Sequence, residues 1–238
     1  MNEQSRRDLM GAAGAAVAAV SVLGLASSAQ AQTAAAPPKV EFAIKRLPFA
    51  RGSVPGLSEK LLASHHENNY SGAVKRLNAI TAQLAGLDMA SAPSFVLNGL
   101  KREELIAANS MILHEVYFDC LGGDGSDPQG ALAQAITHDF GSVARWKAEF
   151  SAVGKALGGG SGWVLLTYSP RDKRLVNTWA ADHTMTLANG RPLLALDMYE
   201  HAYQMDYGAR AAAYVDAFMK TIRWDHAAAA FDRAVREG

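Results

Sequence analysis

The chain has 238 residues, 49% of them hydrophobic and 19% charged, with 23 basic residues balanced by 23 acidic ones. A neutral chain without a basic block has no electrostatic basis for binding nucleic acid or an anionic membrane, which leaves small-molecule chemistry and protein contacts. The length suffices for one large domain or two small ones sharing a core, and the only cysteine, Cys120, excludes an internal disulfide and reads as ordinary packing.

The N-terminus reads as an address. Ser5-Arg6-Arg7-Asp8-Leu9 precedes an Ala/Val/Gly-rich run from about Met10 to Ala26, and Ala29-Gln30-Ala31 offers small residues where a signal peptidase needs them. Residues 1–31 are therefore expected to be a cleaved leader. Gly11, Gly14 and Gly24 leave the run too weakly apolar for a lasting anchor, so no stable membrane association is expected after cleavage. The paired arginines resemble twin-arginine export signals, which implies a periplasmic or secreted protein that crosses the membrane folded, with its metal already loaded if it carries one.

Residues 32–56 form an expected extended lead-in, because Pro37, Pro38, Pro48 and Pro55 exclude a long helix. From the N-cap candidate Ser58 to Gly86, Leu61, Leu62, Val74, Leu77, Ile80 and Leu84 recur at helical spacing and predict one long helix carrying His65 and His66. A second helix is predicted from about Lys101 to Cys120, ended by Gly122-Gly123 and carrying His114. After the turn-rich stretch 123–128, shorter helices are expected near 128–139 and 142–157. Two runs rich in β-branched and aromatic residues, 162–168 and 175–179, flank a turn and read as a hairpin; Pro192 to Asp197 reads as a third strand. Helices near 209–222 and 225–235 close the chain. The predicted class is α+β: a long helical hairpin over 57–122, then a domain over 123–238 with a small three-stranded antiparallel sheet surrounded by helices.

Seven histidines occur, at 65, 66, 114, 138, 183, 201 and 226. His138 and His226 have polar neighbours near helix ends and are read as solvated. His114 sits among apolar and aromatic residues, where an imidazole requires a partner, either in the core or as a ligand. Asp197 and His201 lie four residues apart at the end of an apolar run, a spacing that lets both reach one atom if the strand turns into helix there. Helical spacing does not choose between His65 and His66.

The segments Leu57 to His65, Leu113-His114-Glu115-Val116-Tyr117-Phe118 and Asp197-Met198-Tyr199-Glu200-His201-Ala202-Tyr203 together resemble the iron/manganese superoxide dismutases, with Gly160-Ser161-Gly162-Trp163 in support. Leu47-Pro48-Phe49, Leu77-Asn78 and Asp139-Phe140-Gly141-Ser142 add to the match, which covers residues 45 to 235. The ungapped register from Ser58 to Leu77-Asn78 selects His65 over His66. By this resemblance one iron or manganese ion per subunit is held by His65, His114, Asp197 and His201, superoxide is the substrate, and the protein is a homodimer or a dimer of dimers. Glu200 is the implied contact to the metal-binding histidine of a second subunit.

Three imidazoles and a carboxylate suit iron, manganese or zinc, and of these iron and manganese undergo the one-electron redox change that dismutation requires. Hydrogen bonds around the ligands would tune that change. The glutamine common in the family is absent at Ser110 and after the second strand, where Ala180-Ala181-Asp182-His183 resembles the branch with a histidine donor. His183 is therefore implied as the outer donor, with Trp163 and Tyr199 as further active-site residues. Ala73 stands where a gating tyrosine is usual, Asn69 where a histidine is usual, and Gln204 where a second tyrosine is usual; Tyr70 is the nearest phenol. Those departures support an alternative, an exported metal-binding protein with little or no dismutase activity. A non-haem iron oxygenase, with two histidines and one carboxylate, is disfavoured by the third histidine.

Overall fold

The computed structural model describes residues 40–50 and 52–238. The proposed leader therefore lies outside the described residues. Residues 40–50 carry no helix or strand. They are pinned by Asn78, whose side chain accepts from Phe42 N at 2.8 Å and donates to Phe42 O at 2.9 Å. A segment without regular secondary structure is thus tied to a helix by one carboxamide.

The helical hairpin is present with one correction: the first helix is not continuous. It consists of α1 (Glu59–Ser64), a π-helical turn (His65–Tyr70) and α2 (Ser71–Ala85). Ser58 caps α1 by accepting from Leu61 N, as its position predicts. In the π-turn the hydrogen bonds reach one residue further, and Ser71 Oγ reinforces it by donating to His66 O at 2.9 Å. The second helix, α3 (Ser94–Asp119), starts seven residues before its predicted start, because Pro93 sets an N-terminus that the apolar periodicity does not mark.

Beyond the linker come α4 (Gly130–Phe140) and α5 (Val143–Ala156), then β1 (Trp163–Ser169), β2 (Arg174–Ala180) and β3 (Arg191–Asp197). The sheet is antiparallel in the order β2-β1-β3, with Trp163 facing Ala180 on one side and Asp197 on the other. Pro192, which cannot donate to a ladder, lies on edge strand β3 beside the register shift at Leu166 and Thr167. After β3, where the Asp197–His201 spacing suggested a helix, come a 3-10 turn (Glu200–Ala202) and the short α6 (Gln204–Tyr207); α7 (Ala211–Phe218) and α8 (Trp224–Glu237) finish the chain.

The core runs without interruption from the hairpin through the sheet, with α3 packed on both α2 and β3. The stretch between the halves is stitched to the end of α7, with Gly123 N donating to Thr221 O at 2.9 Å and Arg223 N to Cys120 O at 2.8 Å. Cys120 is buried as the sequence suggests, its thiol near Leu193 O, and burial pushes that thiol up. No helix among the described residues is long and apolar enough to cross a membrane.

Candidate metal centre

Topology brings the four expected ligands together. His65 opens the π-turn, His114 lies in the last turns of α3, Asp197 ends β3, and His201 sits in the 3-10 turn rather than in the regular helix its spacing suggested. Their candidate ligand atoms all lie within 4.8 Å of one another. Asp197 Oδ2 is the hub, at 3.1 Å from His65 Nε2, 3.2 Å from His201 Nε2 and 3.5 Å from His114 Nε2.

The carboxylate divides its two oxygens. Oδ1 accepts the backbone N–H of Tyr199 at 2.8 Å, an Asx-type turn that bends the chain straight after the strand and leaves Oδ2 facing the imidazoles. His114 is oriented from the other end of its ring: Nδ1 donates to Ser110 O at 2.6 Å, one turn back on the same helix. In a neutral ring that bond leaves Nε2 as a bare lone pair, and this atom is buried without a hydrogen-bond partner.

The electrostatics favour a cation. Burial holds His65 below the usual imidazole range and His114 down at about 3, so both rings are neutral near pH 7. Burial alone would push Asp197 up, but His201 and then His65 reverse it and keep the carboxyl ionised. A buried anion and an imidazole lone pair 3.5 Å apart repel each other unless a positive charge lies between them. Three nitrogens and one carboxylate oxygen are a donor set for a borderline divalent or trivalent metal, and the residues present fit one.

Aromatic rings wall the cluster. His65 contacts Tyr117, Phe118, His114 and His201 at ring separations of 4.7 to 5.1 Å. Trp163 meets His114 edge to face at 5.2 Å. His183 comes to the same side, with its ring 6.2 Å from that of His114 and stacked on Tyr199 at 4.8 Å, while Tyr199 stacks in turn on His201. Glu200 is exposed, and His201 is the one candidate ligand with substantial exposure, its side chain one-quarter accessible.

Among the described residues the match to known proteins is extensive. The C-terminal domain description of iron/manganese superoxide dismutases fits residues 128–230. An iron superoxide dismutase of Cupriavidus metallidurans is 71% identical over 196 residues, covering 82% of this chain and 99% of that protein. The chain belongs to the iron/manganese superoxide dismutase family. Manganese superoxide dismutase 1 of Haloferax volcanii is 35% identical over 199 residues, 82% of this chain and 97% of that protein. An iron superoxide dismutase of Pyrobaculum aerophilum is 30% identical over 189 residues, 77% of this chain and 89% of its own length.

Other residues singled out in this superoxide dismutase sequence take different places. Tyr70 is buried beside the site, its ring 6.5 Å from that of His114; its hydroxyl donates to Glu115 Oε1 at 3.0 Å and accepts from Lys45 N at 2.9 Å. Burial, with Glu115 adding to it, pushes that phenol up to about 12. Ala73 packs into the core, Asn69 is half-buried and Gln204 is exposed. His66 turns away from the cluster and bonds Lys45 O at 2.8 Å. His138 is solvated as read, but His226 is half-buried with Asp119 3.5 Å from its Nδ1, a partner that sequence separation concealed.

Sequence reasoning passed over Asn109 and the Ser110 carbonyl. Asn109 Nδ2 donates to His183 O at 2.5 Å and ties the loop after β2 to α3. Neither residue belongs to a local motif; each matters through a tertiary contact or through its backbone.

Proposed function

We propose that this chain is a superoxide dismutase, converting two superoxide anions and two protons to dioxygen and hydrogen peroxide, with one iron or manganese ion held by His65, His114, Asp197 and His201. The observation that carries the reading is the bare, buried Nε2 of His114 opposite Asp197 Oδ2. When bound, such an ion supplies the one-electron change between divalent and trivalent states that each half-reaction needs. The protein's part is orientation and exclusion. The Ser110 carbonyl keeps the His114 proton on Nδ1, and the Tyr199 N–H holds Asp197 Oδ1. Tyr117, Phe118 and Trp163 keep water from the buried sides of His65 and His114.

In this reading His183 is the outer hydrogen-bond donor, supported by its approach to His114, with Trp163 and Tyr199 packed around its ring. Tyr70, one helical turn before Ala73, supplies a phenol from the next position, supported by its burial 6.5 Å from the ring of His114. Glu200 reaches the metal-binding histidine of a second subunit in a homodimer or a dimer of dimers. That assignment is supported by the exposure of Glu200 and of His201 alone among the ligands. Residues 1–31 direct twin-arginine export to the periplasm or medium, supported by Arg6-Arg7 and Ala29-Gln30-Ala31. A mature N-terminus at Gln32 in protein from its own host tests that assignment.

The decisive experiment loads the protein with iron and with manganese and follows superoxide decay directly by pulse radiolysis. Fast removal with either metal supports the enzyme. About one metal per subunit with negligible removal leaves the metal-binding alternative, which Ala73 and the exposed Gln204 favour.

A further inference from the structure

The residues that follow the hairpin's two candidate ligands meet in one cross-link behind them. His66 follows His65 on the first arm, and Glu115 follows His114 on α3. Glu115 gives its two carboxylate oxygens to different partners: Oε1 accepts from the Tyr70 hydroxyl at 3.0 Å, and Oε2 pairs with the Lys45 ammonium. Both partners belong to the first arm. Tyr70 ends the π-turn, and Lys45 is fastened to that arm through its backbone. Lys45 N donates to the Tyr70 hydroxyl oxygen at 2.9 Å, and His66 Nε2 donates to Lys45 O at 2.8 Å.

The cross-link lies against the ligand rings. Phe118, buried on α3, is the common neighbour: its ring is 5.0 Å from that of His65 and 6.3 Å from that of His114, and 5.7 Å from His66 and 6.2 Å from Tyr70. The Lys45 side chain is exposed, so its ion pair alone contributes little. Tyr70 is buried and the Glu115 side chain is less than one-fifth accessible, which strengthens a hydrogen bond to a carboxylate. A second pair, Arg76 of α2 with Glu103 of α3, joins the same two arms about three helical turns from His65 and His114. The hairpin is therefore bridged twice, once beside the ligands and once away from them.

We propose that Glu115 is a positioning residue: with Tyr70 and Lys45 it clasps the two arms of the hairpin and holds His65 and His114 at the separation that retains a metal ion. Release of an ion requires the imidazoles of the two arms to part, and parting them breaks both bonds to Glu115. The Arg76–Glu103 pair resists the same movement only where the arms carry no ligand. Tyr70 serves the clasp through its hydroxyl, whatever its part in turnover. The inference rests on the reading of His65, His114, Asp197 and His201 as a metal site, and on nothing about the reaction performed there.

The test loads the full-length protein with manganese and measures how fast an excess of chelator removes it, alongside the thermal midpoint of the metal-free form. Glu115→Ala, which loses both bonds, should release the ion about tenfold faster than wild type or more. Tyr70→Phe keeps the ring and loses one bond, and should accelerate release by about fivefold to tenfold. Glu115→Gln, whose carboxamide oxygen can still accept from Tyr70, should fall between wild type and Glu115→Ala. Arg76→Met removes the remote bridge and should leave the release rate within about twofold, even where it lowers the midpoint. A wild-type release rate in folded Glu115→Ala and Tyr70→Phe, or equal acceleration by Arg76→Met, overturns the clasp. If Glu115→Ala does not fold, Tyr70→Phe and Glu115→Gln decide. A wild type that takes up no manganese defeats the metal-site reading and the clasp with it, whereas one that retains manganese without removing superoxide leaves the clasp standing.

Discussion

At the scale of single residues, Asp197 has the most demanding position. It is fully buried, ionised, held at Oδ1 by a backbone N–H, and faces three imidazoles through Oδ2. Removing its charge should do more than loosen a ligand, because the three rings lose the anion that offsets the metal's charge. Asp197→Asn is expected to reduce metal affinity by more than the roughly 10–100-fold that follows loss of an outer hydrogen-bond partner, measured by competition with a metal-binding dye. His183→Gln should retain metal and shift the relative activities of the iron and manganese forms, read after reconstitution with each. Unchanged activities in both forms would remove His183 from the site.

The candidate ligands could be picked out in the sequence because each lies in a local string with a family register, and none of those strings needed a long-range contact to be recognised. Asn109 was illegible for the opposite reason. Its partner is a backbone atom 74 positions away, and nothing in its own helix distinguishes it from a solvated asparagine. His226 shows the same limit, since the Asp119 that pairs with it is distant in sequence.

At the scale of elements, the interrupted first helix is the main departure from sequence reading. Apolar residues recur at helical spacing on both sides of His65–Tyr70, and periodicity cannot register a single widened turn. Local widening of this kind is frequent at functional sites, and here it carries the first candidate ligand. Strand β1 imposes a different constraint. Gly162 enters it with φ +131°, and a Cβ there would lie 2.0 Å from Ala180 O. Gly162→Ala should therefore cost about 2–4 kcal/mol, combining backbone strain with overpacking, in urea unfolding of the metal-free protein. Gly72, inside α2 with nothing within 4 Å of its would-be Cβ, provides the contrast. Gly72→Ala should stabilise by about 0.5–1 kcal/mol in the same assay. Equal effects at the two positions would contradict this account.

At the scale of the whole molecule, the buried imidazoles make the metal-free fold sensitive to acid. His65 and His114 titrate below their unfolded value of 6.5, His114 at about 3, so between those limits the unfolded chain binds more protons than the folded one. Their contribution is complete above pH 6.5 and declines as pH falls toward 3, and Asp197, depressed below its unfolded 3.8, adds to the loss at the acid end. The thermal midpoint of metal-free protein should fall steadily from pH 7 to pH 4; a flat profile would mean that the rings titrate in the native state as they do in the unfolded chain.

The positions of the candidate ligands have a mechanical consequence. They come from positions 65, 114, 197 and 201, on the hairpin's two arms and at the end of the last strand, so one ion would close two long loops at once. Such closure restricts the unfolded chain as a covalent cross-link does, with longer loops restricted more. A chain whose only thiol is buried has no disulfide to perform that task. The ion would then act as this protein's removable staple: chelation should lower the melting temperature sharply, and refolding should slow until metal is restored.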